Sequence, residues 1–381
     1  MVLLSKGLEI EMYTGSPEGE IVGLSDRIVR DLEGFVREPD SRNVEYTTAP
    51  YCNYERLLCA ILKPRRALRA YLQKLGDYTI VPGSTLSLGN SRHFYRSDPY
   101  NPYHDYIEQV YGTKVVTSSI HINIGIEDPE ALMQACRLAR VEAPLYLALS
   151  ASSPFLDGQI TGSHSTRWQL FPQTPHHVPL FASHSHYVKW TEEQLVLGTM
   201  QNVRHLWTSV RPNGDNRPYN LNRLELRVCD LVTNPLTLLG IVALLEARLT
   251  QLKHSPQLDP LLGSRFSEAE LLEITTANEQ AAARFSLDAT LTHWQDGRTL
   301  LARDWIDELY QEVIPLAQTG GYSNFLSSVQ EILSHGNTAQ QWLRDYESGT
   351  DIKSIIRQSI PLAQQQELAL EKHLCQPSLV A

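Results

Sequence analysis

Residues 5–15, SKGLEIEMYTG, alternate strictly: Leu8, Ile10 and Met12 interleave with Glu9 and Glu11. Period two belongs to a strand, because successive side chains leave opposite faces. Both carboxylates therefore emerge on one side of a sheet and the three apolar side chains on the other. Any fold this chain adopts must bury one face of that sheet and accommodate charge on the other. Two carboxylates so close repel, and folding gains nothing by pairing them. Two readings follow. The strand has a solvated polar face, as antiparallel sheets often do, or a cation lies between the acids, in which case a hard ion such as Mg2+ suits the oxygen ligands.

Two later segments repeat the pattern. His121-Ile-Asn123-Ile-Gly125 alternates polar and apolar residues. Residues 222–230, NRLELRVCD, set Arg223, Glu225 and Arg227 against Leu224, Leu226 and Val228. Three strands that each carry acids, His, Asn or Arg on one face suit a polyphosphate and its metal ions lying on a sheet. Glu38 and Glu45 flank the start of a further strand at 43–48. With Glu9, Glu11, Glu225 and His121 they make six candidate metal ligands. Five carboxylates exceed what one Mg2+ requires, so two or three ions bridging a triphosphate fit the set. Arg167 and Arg227 would face phosphate or substrate carboxylate as bidentate forks. For Arg227 a structural salt bridge to a neighbouring acid is the competing reading, and for His121 a hydrogen-bonded core histidine.

What the chain lacks narrows the chemistry. There is no GxxxxGK[ST], no GxGxxG opening a helix after a strand, no GxSxG and no HExxH. A nucleotide held here is held by metal ions on a sheet and not by a glycine loop. The net charge of -10 argues against a general nucleic-acid binder. No apolar run reads as long enough to span a bilayer, and acids follow the short apolar N-terminus at once, unlike a signal peptide. Cys52, Cys59, Cys136, Cys229 and Cys375 are odd in number and scattered. That spacing suits neither a zinc site nor a secreted disulfide framework. It suits a cytoplasmic protein with mostly reduced thiols, with room for one regulatory disulfide. The histidines between 164 and 205 have no metal-helix spacing.

Strand patterns concentrate in residues 1–230, interleaved with helices, and the last third reads as nearly all helix. The expectation is one α+β domain over residues 1–381. It has a mixed or antiparallel sheet flanked by helices in 1–252 and a mainly helical part in 253–381. A helix over 55–75 should kink or split at Pro64. Residues 83–111 read as a loop rich in tyrosine, 114–125 as a strand, and 209–215 as a turn.

Six segments in order carry a family resemblance: GLEIEMYTG, REPDSRNVEYTTAP, YRSDPYNPYHDYIEQVYG, SSIHINIGI, SASSPFLDG with GSHSTRW, and RPNGDNRPYNLNRLELRVCD. Over essentially its whole length the chain resembles the cyanobacterial glutamate–cysteine ligases, carboxylate–amine ligases of glutamine synthetase-like fold. The resemblance implies ATP-dependent joining of L-glutamate to L-cysteine, with Mg2+ and a γ-glutamyl phosphate intermediate, in a monomer or homodimer with no nucleic-acid or membrane partner. It implies that Glu9, Glu11, Glu38, Glu45, His121 and Glu225 bind Mg2+ and that Arg227 neutralises the transferring phosphoryl group. It further implies that Arg167 holds a substrate carboxylate or phosphate and that Asn123 is a polar partner near the metals. Asn278, Arg284, Leu287 and Asp288 match a bacterial helix motif of the group, which assigns Arg284 to the nucleotide. Other readings are a ligase of the same fold with a different substrate, a non-catalytic nucleotide-binding regulator, and a phosphagen kinase, whose guanidine-binding loops nothing here resembles.

Overall fold

The computed structural model describes residues 3–375. Seven strands form the main sheet. They are β1 (Lys6–Gly15), β2 (Phe35–Arg37), β3 (Asn43–Thr47), β4 (Thr79–Val81), β5 (Ile120–Gly125), β6 (Val210–Asn213) and β7 (Arg223–Leu226). The order is β2-β3-β1-β5-β7-β6, with β4 paired to the C-terminal end of β1. Every one of these strand pairs is antiparallel.

The alternation read from the sequence sets the two faces. Leu8, Ile10 and Met12 of β1, Ile120, Ile122 and Ile124 of β5, and Leu224 and Leu226 of β7 are all buried in one apolar core. Helices Tyr54–Leu75, Pro129–Ser150 and Pro235–His254 contribute the other side of that core. Lys6 shares the apolar parity and is wholly buried. It survives there because its Nζ meets Glu246 Oε2 at 2.7 Å on the Pro235–His254 helix, and Tyr54 Oη donates to the same carboxylate at 2.6 Å. A buried cation without a partner would be expelled.

The structure corrects several local expectations. The Tyr54–Leu75 helix runs unbroken through Pro64. Six leucines and isoleucines of its inner face are packed in the core, and Arg65 and Arg69 both reach Glu367. Tertiary packing outweighs the hydrogen bond that proline removes. The expected loop contains a helix, Pro102–Tyr111, whose signal is Asn101 capping Tyr103 N at 3.0 Å with proline in the first turn. The strand expected from 114 begins only at Ile120, since Gly112–Val115 forms a 3-10 turn. Within the mainly helical C-terminal part, Thr290–Thr292 pairs with Thr299–Leu301. Helix Pro235–His254 is long and apolar enough to cross a membrane, against the sequence reading, yet 83% of its apolar window is buried inside the fold. Cys59 and Cys375 form a disulfide joining the Tyr54–Leu75 helix to the C-terminal end of helix Ile352–Leu374. Cys52, Cys136 and Cys229 are free.

Candidate active site

Register carries the acids together. Glu11 lies opposite Glu45 across β1 and β3, and Glu9 opposite His121 across β1 and β5. Asn123 lies opposite Glu225 across β5 and β7, and Glu225 opposite Arg211 across β7 and β6. All stand on the face away from the core. Two groups form, Glu9 with His121 and Glu225, and Glu11 with Glu38 and Glu45, each with ligand atoms within 4.8 Å of one another. All six expected ligands are thus brought together.

The two groups differ in charge compensation. In the first, His121 Nδ1 is 2.9 Å from Glu9 Oε2, and Asn123 Nδ2 donates to Glu9 Oε1 at 3.1 Å. Arg211 grips Glu225 with two hydrogen bonds, Nε at 2.7 Å and Nη2 at 3.0 Å, while Asn213 adds one at 2.7 Å and Arg227 Nη1 another. Burial by itself would raise the Glu225 carboxyl, but Arg211 and Arg227 outweigh it and hold it well below the usual carboxylate range. Burial and the Glu225 charge push Glu9 upward, and the His121 hydrogen bond and charge return it below its ordinary value.

The second group has weaker support, for the Arg227 charge that opposes its crowding is outweighed. Burial, then the Glu11 and Glu45 charges, drives Glu38 well above the usual range. Burial, then Glu11 and Glu9, pushes Glu45 up to about 8. His121 Nε2 comes no nearer to Glu11 than 3.9 Å. Burial and crowding push two of these three carboxylates upward, which marks a cluster short of positive charge, and a divalent cation supplies it. In the first group, Asn123 Oδ1 is buried beside Glu9 without a hydrogen-bond donor, an oxygen left open to a cation there. Five carboxylates with a single imidazole suit Mg2+ or a similar hard ion.

A pH dependence follows. Below its ordinary value of 4.5 the Glu45 carboxyl is protonated folded or unfolded and costs nothing. As pH rises toward about 8, the unfolded chain ionises freely while the folded protein must hold the proton or bear the repulsion. The metal-free protein therefore loses this stability across that window. The melting-temperature gain on adding Mg2+ grows over the same window, and Glu45→Gln flattens both trends in melts from pH 5 to 8.5. A Mg2+ increment independent of pH excludes the cluster as the binding site.

The remaining candidates separate. Arg227 keeps its buried Nε without an acceptor, so one edge of the guanidinium remains available. Arg167 departs from expectation. It is buried, and its two Nη atoms donate to the carbonyls of Val228 at 3.1 Å and Arg227 at 2.9 Å. Both Nη atoms are thus spent on backbone and hold the segment that bears Arg227, while its Nε is buried without an acceptor. Asp230 does similar work: it accepts from Ser152 N at 3.0 Å, Ser153 Oγ at 2.7 Å and Ser165 Oγ at 2.8 Å. The serine-rich motifs thus clamp the chain just after β7. Arg284 is exposed and lines a different cleft of about 600 Å³ with Trp168, Phe171 and Glu279, which none of the six acid and histidine ligands lines.

Arg211 and Asn213 were missed. They lie in VRPN, where proline and the following glycine read as a turn. The segment is an edge strand, the one place in a sheet where proline is tolerated. The alternation of Val210 and Pro212 with Arg211 and Asn213 was the available signal.

Three comparisons bear on this geometry. The family described as glutamate–cysteine ligase family 2 matches residues 5–365. A protein of Solibacter usitatus assigned as glutamate–cysteine ligase 2 is 27% identical over 75% of this chain and 72% of its own, and one of Rubrobacter xylanophilus 25% identical over 91% and 90%. A Sorangium cellulosum relative with the same assignment is 31% identical over 60% of this chain and 58% of its own. Among solved structures, a glutamate–cysteine ligase from Francisella tularensis in complex with AMP superposes with a TM-score of 0.73 at 13% identity, over 100% of this chain and 91% of its own. A bifunctional glutathione synthetase from Pasteurella multocida gives 0.70 at 16% identity over 97% of this chain and 53% of its own. At such identities the structural likeness speaks for the fold.

Proposed function

This chain belongs to glutamate–cysteine ligase family 2, and we propose that it joins the γ-carboxylate of L-glutamate to the amine of L-cysteine using ATP. The observation that carries the reading is the pair of three-ligand groups on one sheet face, with the open guanidinium edge of Arg227 beside them. In this reading a γ-carboxylate oxygen attacks the terminal phosphorus of ATP, and the bond to the bridging oxygen of ADP breaks. The cysteine nitrogen then attacks the acyl carbon, and phosphate leaves as the amide forms. Glu9, His121 and Glu225, and Glu11, Glu38 and Glu45, would hold two or three Mg2+ ions. Those ions would supply charge neutralisation for the phosphate oxygens.

The protein's own residues position and neutralise. Arg227 faces the phosphoryl group in flight. Arg211 and Asn213 hold Glu225 ionised and aimed, as outer partners of a metal ligand do. Asn123 orients Glu9. Arg167 fixes the backbone under Arg227, and Arg284, on the rim of its cleft, is the cation assigned to the nucleotide. Neither of the two buried free cysteines suits a nucleophile: burial pushes the Cys229 thiol up to about 12 and raises Cys136 as well.

An ADP-release assay with L-glutamate, ATP and Mg2+ tests this, with the amine acceptor varied. The expected result is ADP release that requires L-cysteine, with γ-glutamylcysteine as product. Release with another amine but not cysteine reassigns the acceptor, and no release with any amine removes the enzymatic reading.

A further inference from the structure

We infer that Arg217 is an anion-binding residue of this site, placed to take an oxyanion of a substrate, either the α-carboxylate of an amino acid or a phosphate of the nucleotide. The inference rests on the ligase reading for the identity of those anions.

Arg217 lies in the turn between β6 and β7, and the turn is built to hold it. Tyr219 N and Asn220 N both donate to Asn216 O, at 2.9 and 2.7 Å. Helix His184–Leu197 pins the turn twice, through His184 Nε2 on Pro218 O at 2.9 Å and Tyr219 Oη on Glu192 Oε1 at 2.8 Å. In this fixed setting Arg217 Nη1 is shielded from solvent and has no hydrogen-bond acceptor. A buried donor on a charged group is costly when unmade, and native structures leave few of them.

The surroundings suit this unpaired donor to an anion. Arg211 has spent its guanidinium on Glu225 and on the carbonyls of Arg204 and Leu206, at 2.9 and 3.0 Å. Arg227 also leans on Glu225. Arg217 feels both Arg211 and Arg204 as repelling neighbours, with Glu225 and Tyr187 opposing them. Glu225 therefore compensates two arginines already, and the third has no carboxylate of its own. Like charges so gathered cost stability unless a ligand's negative charge joins them, as at phosphate and carboxylate sites. A structural arginine would instead be expected to end on a protein carboxylate or carbonyl.

The test is Arg217→Ala beside Arg217→Lys. KM is measured for L-glutamate, ATP and L-cysteine, and calorimetric affinity for L-glutamate alone and for inorganic phosphate alone. The expected result for the alanine variant is a rise of about tenfold in KM for one substrate, the others staying within about twofold. Lysine restores part of it. A rise for glutamate or cysteine identifies a carboxylate as the anion, and a rise for ATP identifies a phosphate. Unchanged KM values overturn the proposal, and so does a lowered melting temperature with unchanged KM, which is the signature of a structural role. If wild-type protein has no ligase activity but binds glutamate or phosphate in an Arg217-dependent way, the function falls and the subsite stands. If wild-type protein is inactive and Arg217→Ala leaves both affinities unchanged, the subsite falls as well.

Discussion

Replacing Arg227 by lysine lowers kcat by on the order of 10^3, the loss associated with an arginine that stabilises a transferring phosphoryl group, while KM for ATP changes little. Lysine keeps the charge and loses the planar fork. In the resting protein Arg227 gives Nη1 to Glu225, and His121 Nδ1 is 3.3 Å from the same atom. Its Nε is buried and unpartnered. A single-point cation would follow Glu225 and leave the reacting phosphoryl without its donor. If the Glu225 pair were the whole role, the variant would melt earlier and the folded fraction would turn over normally. The two cases separate in one set of steady-state kinetics with a melting curve, because a transition-state contact moves kcat and not ground-state binding. An unchanged kcat removes Arg227 from the chemistry.

Glu11→Gln should do the opposite to stability and as much to activity. Glu11 stands opposite Glu45 and within 4.8 Å of a ligand atom of both Glu45 and Glu38. Taking away one negative charge relieves repulsion of about 1 kcal/mol even with full screening by water, so the metal-free protein melts slightly higher. The same change removes a ligand from the site short of positive charge. Turnover falls by at least on the order of 10^2, and the Mg2+-induced rise in melting temperature shrinks. Melting curves with and without Mg2+ check the stability claim, and assays in excess Mg2+ check the activity claim. Near wild-type turnover of a well-folded Glu11→Gln protein removes Glu11 from the metal site.

The sequence by itself determined the parity of the sheet. Glu9 and Glu11, His121 and Asn123, and Glu225 and Arg227 had to share faces within their own strands, because period two is a property of a single extended segment. It also determined that the opposite face is core, since Leu8, Ile10, Ile122 and Leu226 have that parity. Mutual placement of the strands was another matter. The hydrogen bonds that join Glu9 to His121 and Asn123 cross more than a hundred residues of chain, and nothing local records that register. Arg211 was hidden because its strand carries a proline that only an edge position permits. Arg167 could be named but not aimed: its carbonyl partners at Arg227 and Val228 exist only once the serine-rich loop closes on Asp230. Local patterning decides which side of a strand a charge occupies. Which charges meet, which are neutralised and which remain open to a ligand are decided by tertiary packing, because Coulomb and hydrogen-bond energies depend on distances that packing alone fixes.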